Sequence, residues 1–265
     1  MRVLVKVTKV IRPGLVSVTF RQLDVAAVID IAARAGLTGI EWGGDVHVPL
    51  GDMDAARTAA LRTAEAGLRV ACYGSYYRLG ERPADPAVPP ALVRTARALG
   101  APLIRVWAGR LGSAQADEGQ WRRVVDDARE LAVAAAAEGI EIAFEYHRNT
   151  LTDTRASAAR LLALTDLSNV GTLWQPEPTR DPAENLADLT DVLPRLRNVH
   201  VFSWTPQRER LPLAAQRSQW QAYLSAVAAA PGERFALLEF VAGDDPARLV
   251  EDAAVLRELI ESAQS

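Results

Sequence analysis

The chain has 265 residues, of which 49% are hydrophobic and 24% charged, as in an ordinary globular protein with a sizeable core. The formal net charge is −3 and the arginines are scattered, which argues against a nucleic-acid partner or an anionic membrane surface. A single cysteine, Cys72, excludes an internal disulfide and a cysteine-rich metal site. This cysteine usage is typical of a reducing compartment, so we expect a cytoplasmic protein.

The beginning of the chain also bears on location. Its first 14 residues interleave charges with Val and Leu, so they lack the unbroken apolar core of a signal peptide. No run of about 18 apolar residues follows, and membrane insertion is not expected. The only lysines are Lys6 and Lys9, which excludes a Schiff-base lysine or a Walker-type phosphate lysine further along.

Short apolar or β-branched runs alternate with Ala-rich amphipathic stretches along the chain. This order is typical of repeated β–α units around a parallel sheet. In chain order, the predicted strands are 16–20, 39–44, 69–76, 103–109, 141–147, 170–176, 198–204 and 236–241. The predicted helices are 25–35, 54–66, 88–100, 117–138, 153–164, 183–192, 214–229 and 246–261.

Eight β–α units in about 250 residues favour a closed (β/α)₈ TIM barrel over an open doubly wound sheet. No GxGxxG motif follows the first predicted strand, as an open dinucleotide-binding sheet would require. No linker or change of composition divides the chain, so we expect one domain over residues 1–265. Residues 1–15 precede the first predicted strand and are expected to form an extension or an extra strand.

Catalytic groups of such barrels come from the carboxyl ends of the strands, where side chains converge on one mouth. Glu145 ends the fifth predicted strand, and Glu239 lies in the eighth. Gln175 ends the sixth, and His200 lies in the seventh. An imidazole with carboxylates commonly binds Mn²⁺, Co²⁺, Zn²⁺ or Fe²⁺. The alternatives are an Arg-paired strand-end carboxylate for Glu145, a core histidine for His200 and an orienting amide for Gln175.

Other residues near the mouth are candidates for contacting substrate. His147 alternates with Glu145 and would bind a substrate hydroxyl or cap the loop after the strand. Glu41 and His47 belong to the second unit and would either touch substrate or position a loop. Aromatic walls are usual in sugar pockets, and the alternative is that they cap the barrel core. The tryptophans expected to bind substrate are Trp107, Trp174 and Trp204.

This pattern of residues resembles the xylose isomerase-like TIM-barrel superfamily of sugar isomerases and epimerases, over roughly residues 16–261. The stretch FEYHRNTLTDT is similar to the family's segment after its fifth strand. The resemblance implies one divalent metal, held by Glu145, Gln175, His200 and Glu239, with the two glutamates also acting as acid and base. Mn²⁺ is the first expectation, and Co²⁺, Mg²⁺, Zn²⁺ or Fe²⁺ are alternatives. Gln175 departs from the family, which has Asp there.

The residues and the resemblance together predict a metal-dependent isomerase or epimerase that acts on a small sugar or polyol ketone through an enediolate. A lyase or dehydratase that begins with the same proton abstraction is the nearest alternative. A non-catalytic barrel that binds a sugar or a partner protein is the alternative of another class. A homo-oligomer is left open. A phosphorylated substrate is also left open, because several arginines follow the strands, namely Arg105, Arg110, Arg148 and Arg208.

Overall fold

A computed structural model describes residues 9–81 and 87–265, in which eight parallel strands alternate with eight α-helices. The first strand pairs with both the second and the last, which closes the sheet and confirms the predicted single-domain (β/α)₈ barrel. The strands are β1 (Lys9–Val16), β2 (Gly39–Gly43), β3 (Arg69–Arg78), β4 (Leu103–Trp107), β5 (Glu141–Glu145), β6 (Val170–Trp174), β7 (Leu196–Val201) and β8 (Gly232–Leu238).

The helices pack outside the barrel, and most begin at a side chain that accepts a hydrogen bond from the first turn. Asp24, Asp52, Asp117 and Asp181 cap four helices in this way. None of the helices in the described ranges combines the length and apolar character that a membrane crossing requires. The helices are α1 (Val25–Arg34), α2 (Met53–Glu65), α3 (Val88–Leu99), α4 (Glu118–Ala136), α5 (Arg155–Thr165), α6 (Pro182–Val192), α7 (Arg217–Ala229) and α8 (Arg248–Gln264).

The predicted position of the first strand is wrong. Lys9–Val16 forms β1, and Ser17–Phe20 forms a 3₁₀ turn where the strand was expected. Residues 9–15 are therefore part of the barrel and not an extension before it. Residues 1–8, the rest of the predicted extension, lie outside the described residues.

The interior of the barrel is layered because side chains of a strand alternate between its two faces. An apolar cluster fills the lower layer, and charged or amide side chains lie two residues further along three of the strands. Cys72 belongs to the apolar layer and is fully buried. Burial and the nearby Glu41 carboxylate raise the pKa of its thiol. The other members of the apolar layer are Leu103, Ala143 and Leu173.

Candidate active site

The carboxyl ends of the strands surround a cavity of about 220 Å³. The predicted acidic, imidazole and amide residues that line this cavity are Glu145, His147, Gln175 and Glu239, and the arginines expected near the mouth that line it are Arg105, Arg148 and Arg208. His200 is fully buried and reaches Glu239 from inside the barrel, with 3.4 Å between Nδ1 and Oε2. The predicted strand-end residues therefore meet at one mouth.

Arg105, from the middle of β4, is the cation at the centre of these carboxylates. Its Nη1 donates to Glu145 Oε2, and its Nε lies 3.0 Å from Glu41 Oε1. All three side chains are almost completely buried. The arrangement of Glu145 therefore agrees with the alternative that it is a strand-end carboxylate paired with an arginine.

His200 joins the same network from β7. Its Nε2 lies 3.1 Å from Glu41 Oε2, and its Nδ1 lies 4.0 Å from Glu145 Oε1. Burial alone would lower the pKa of His200, but the charges of Glu239 and Glu41 outweigh burial and raise it to about 10. The carboxylates around His200 therefore favour its protonated form.

The carboxylates of Glu41 and Glu145 stay charged although they are buried. Burial alone would raise the pKa of each, but positive neighbours reverse the direction. For Glu145, the charge of Arg105 is the largest opposing influence, and its pKa falls to about 2. For Glu41, His200 and Arg105 together hold the pKa below its ordinary value.

Glu145 and Glu239 differ in how firmly they are held. Gln175 Nε2 donates to Glu145 Oε1 at 3.2 Å, so both oxygens of Glu145 are engaged once Arg105 is included. The described contacts of the Glu239 carboxylate are to His200, and the residue lines the cavity. Glu239 is therefore the more available proton acceptor of the two.

The backbone after β8 fixes the direction of Glu239. Its N–H donates to Val201 O at 2.9 Å, and the following residue, Phe240, donates its N–H to Thr19 Oγ1 at 3.1 Å. Phe240 has φ +59°, which is rare for a bulky residue and marks local strain. Its ring packs against Trp204 at 5.7 Å between centroids. The surrounding contacts thus hold a strained turn next to the carboxylate.

The predicted metal ligands do not fit a divalent ion as they are arranged. The described residues contain no group of three or more His, Cys, Asp or Glu side chains placed to share a metal. Both oxygens of Glu145 accept hydrogen bonds from nitrogens, one of Arg105 and one of Gln175. Gln175 presents its N–H to Glu145. The metal set therefore stays a prediction, and these contacts disagree with it.

Two of the three tryptophans expected to bind substrate line the cavity, Trp107 and Trp204. Trp107 stacks on His147 at 5.0 Å between centroids, and the Arg78 guanidinium lies 3.7 Å from its centroid. The indole nitrogens of Trp107 and Trp204 are buried without a hydrogen-bond partner in the described part of the chain. Both N–H groups are suited to a polar ligand at the mouth.

Trp174 lies elsewhere, which corrects the expectation that it binds substrate. It is fully buried and packs edge-on against Trp220 and Tyr223 of α7. Leu173 faces into the barrel, so the next residue along β6 faces the helices. Trp174 is part of the core outside the barrel wall.

Glu41 and His47 do not line the cavity, and their described contacts are to other groups of the protein. The Glu41 carboxylate contacts Arg105 and His200 and is not part of the cavity wall. The His47 Nε2 atom lies 3.0 Å from Leu23 O, and its ring packs edge-on against Trp42. His47 therefore ties the loop after β2 to the segment that joins the 3₁₀ turn to α1.

Arg105 is expected from the sequence only as a residue near the mouth, and its central position was missed. A signal was present, because Arg105 is a lone charge between Ile104 and Val106 in a short buried strand. Those two neighbours are buried in the core outside the barrel, which leaves Arg105 facing inward. A single inward charge in such a strand needs a partner of opposite charge.

Comparison with known proteins adds a family to this geometry. A family model described as "Xylose isomerase-like TIM barrel" matches residues 29–259, whereas no curated protein matches the chain. Among solved structures, the probable 3-DHS dehydratase AsbF from Bacillus anthracis has a TM-score of 0.78 at 17% identity, covering 93% of this chain and 98% of that one.

Two further solved structures share the barrel. D-psicose 3-epimerase from Clostridium cellulolyticum H10, solved with D-tagatose, has a TM-score of 0.70 at 16% identity, covering 96% of this chain and 99% of that chain. A xylose isomerase-like TIM barrel protein from Mycobacterium smegmatis, in complex with magnesium, has a TM-score of 0.67 at 17% identity, covering 96% and 98%. At such identities these structures show a shared fold.

Proposed function

Because the chain belongs to the xylose isomerase-like TIM-barrel family, we propose that it is an isomerase or epimerase of a small sugar or sugar-like ketone. The observation that carries this proposal is the pair of carboxylates at the cavity. Glu145 and Glu239 lie 4.0 Å and 3.4 Å from the same atom, His200 Nδ1, and both line the mouth. Paired acid and base groups in one pocket suit proton transfer beside a carbonyl.

In this proposal Glu239 removes the proton from the carbon next to the substrate carbonyl. The C–H electron pair forms the new C=C bond of an enediolate, and the carbonyl oxygen takes the negative charge. In an epimerase the abstracted proton stays on Glu239 and a different proton reaches the opposite face of the same carbon. We assign that delivery to Glu145, which has to take up a proton from solvent first because its carboxylate is ionised in the free site. In an isomerase the proton returns to the neighbouring carbon. His147, Trp107 and Trp204 would hold the hydroxyl groups of the substrate.

Solvent deuterium exchange tests this proposal even while the product is unidentified. The full chain is incubated in D₂O with D-psicose, D-tagatose, D-fructose or L-ribulose, and the sugars are followed by proton NMR. We expect deuterium at the carbon next to the carbonyl of at least one sugar, together with an epimer or isomer. Glu209→Gln is a matched control, since Glu209 is an exposed carboxylate in the loop after β7.

Loss of exchange in Glu239→Gln, with exchange kept in Glu209→Gln, would support the acid–base assignment. Folded protein that exchanges no proton in any of these ketoses would contradict the proposal for this substrate class. Binding of a ketose without exchange, seen by calorimetry, would instead favour the non-catalytic sugar-binding barrel.

A dehydratase is the second candidate, because it would begin with the same proton abstraction and differ only in losing a β-hydroxyl. The similarity in fold to a probable 3-DHS dehydratase supports this second candidate. The same samples, supplied with 3-DHS, would develop the ultraviolet absorbance of a conjugated product. Absorbance growth with no exchange in the ketoses would favour the dehydratase over the epimerase.

A further inference from the structure

We propose that the guanidinium of Arg105 is the resident cation of this site, holding the carboxylate oxygens that a divalent metal would need, so that the site operates without a bound metal. The electrostatic part of this inference stands on the contacts alone. Its catalytic part, stabilisation of an enediolate, rests on the proposed function.

The contacts of Arg105 place its guanidinium between two carboxylates that come from different strands. It reaches Glu41 on β2 with Nε and Glu145 on β5 with Nη1. A guanidinium can serve two carboxylates at once because its nitrogens form a planar fork, and it remains protonated in proteins. This positive charge is therefore always present, whereas a metal ion would have to bind from solution.

The barrel wall is shaped to admit this ion pair. Gly74 on β3 pairs with Arg105 in register, and a Cβ built there would lie 2.6 Å from Glu41 Oε1 and 2.9 Å from Arg105 Nη2. Any larger residue at position 74 would meet the Glu41–Arg105 pair. The lack of a side chain at Gly74 thus provides the space that the Glu41–Arg105 pair occupies.

An incoming metal would find few free donors in this arrangement. Both oxygens of Glu41 face nitrogens of Arg105 and His200, and both oxygens of Glu145 face nitrogens of Arg105 and Gln175. Glu239 alone among these carboxylates is not bridged by Arg105. A stable site for Mn²⁺ or Zn²⁺ needs several lone pairs around one point, so a metal would have to displace the arginine.

Arg105 also faces the space that a substrate would occupy. Its side chain lines the cavity together with Glu145 and Glu239, so a fixed positive charge lies beside the proposed acid and base groups. A fixed positive charge in a water-poor site is a usual means of stabilising an oxyanion.

Metal titration of the full chain tests the inference without any substrate. Protein treated with EDTA and exchanged into buffer is titrated with Mn²⁺ by calorimetry, and its unfolding temperature is measured with and without Mn²⁺. We expect no stoichiometric binding at micromolar Mn²⁺ and no change in unfolding temperature. One Mn²⁺ bound per chain at micromolar concentration would overturn the inference, as would a fall in unfolding temperature caused by EDTA.

The variant Arg105→Gln should behave differently, because it frees the oxygens of Glu41 and Glu145. We expect its affinity for Mn²⁺ to rise by about tenfold or more, since one positive charge is removed beside the acidic groups. Arg62→Gln on α2, which changes an exposed arginine, is the matched control and should bind no Mn²⁺. Equal Mn²⁺ affinity of folded Arg105→Gln and the control would contradict the inference. If Arg105→Gln does not fold, the wild-type titration still decides.

The titration and the deuterium exchange separate this inference from the proposed function. Failure of exchange in every ketose would contradict the function and leave the wild-type metal result standing. Exchange that proceeds at the same rate in EDTA would support the catalytic part. Exchange that stops in EDTA and returns with Mn²⁺ would contradict the inference and keep the function.

Discussion

Glu145 and Glu239 bear the same functional group in different surroundings, and this difference assigns them different tasks. Glu145 is bonded by Arg105 and Gln175, so its carboxylate is held in place and remains charged. Glu239 contacts His200 and faces the cavity. Removing the first carboxylate would leave a buried cation without one of its partners, whereas removing the second would mainly delete a proton acceptor.

The variants Glu145→Gln and Glu239→Gln should therefore separate stability from turnover. We expect Glu239→Gln to lower kcat by about 100-fold or more, the usual contribution of a general base. We expect Glu145→Gln to lose activity and also to be destabilised by roughly 3 kcal/mol, because it breaks a buried ion pair. Turnover and urea unfolding of the two variants check this. Full activity in Glu239→Gln would show that another group removes the proton.

The order of the helices and strands could be predicted from the sequence, because helical and strand periods of hydrophobicity alternate clearly from residue 25 onward. β1 was misplaced because Pro13 and Gly14 suggest a turn, yet both lie in a barrel strand. Pro13 O accepts a hydrogen bond from Thr38 N, and a Cβ at Gly14 would lie 2.6 Å from Leu237 Cδ2. These are tertiary constraints that no local pattern reveals.

The same limit applies to the candidate site. The rule that strand ends converge brought Glu145, Gln175, His200 and Glu239 to one mouth, as the structure has them. The pairing partners could not be predicted in this way, because they depend on the register of strands far apart in sequence. Arg105 lies between β3 and β5 in the barrel, and only that placement shows which carboxylates it meets.

β3 passes close to the Glu41–Arg105 ion pair at Gly74, so a larger residue there should disturb the pair. Gly74→Ala places a methyl group within 3 Å of Glu41 and Arg105, so the pair must shift. We expect a destabilisation of about 1–3 kcal/mol, typical of overpacking. Gly119→Ala in the first turn of α4 is a control. Its Cβ would lie 3.2 Å from Asp117 Oδ1, which a small side-chain shift can relieve, and the higher helix propensity of Ala offsets that cost, so we expect a nearly neutral effect. Urea unfolding of both variants measures this, and equal stability would contradict it.

For the whole molecule, the buried charges link unfolding to pH. The raised pKa of His200, about 10 against an ordinary 6.5, stabilises the fold fully below pH 6.5, and this stabilisation is lost as pH rises through 10. The lowered pKa of Glu145, about 2 against 4.5, stabilises the fold above pH 4.5, and this is lost as pH falls through 2.

The free energy of unfolding should therefore decline between pH 6.5 and 10 in the wild-type protein. Urea unfolding at a series of pH values measures the decline. His200→Asn should flatten the pH dependence in this range, because the titrating group is removed. A wild-type protein that becomes more stable as pH rises over this range would contradict the assignment of the charge to His200.

The apolar layer beneath these charges gives the molecule a natural reporter of its own opening. Cys72 is the only thiol of the chain, and it is fully buried inside the barrel. A thiol reagent can reach it only when the strands around it separate, so the labelling rate in native buffer measures how often the barrel opens. We expect labelling that is slow in the wild-type protein and faster in Arg105→Gln. Immediate labelling of the folded wild-type protein would contradict the burial of Cys72.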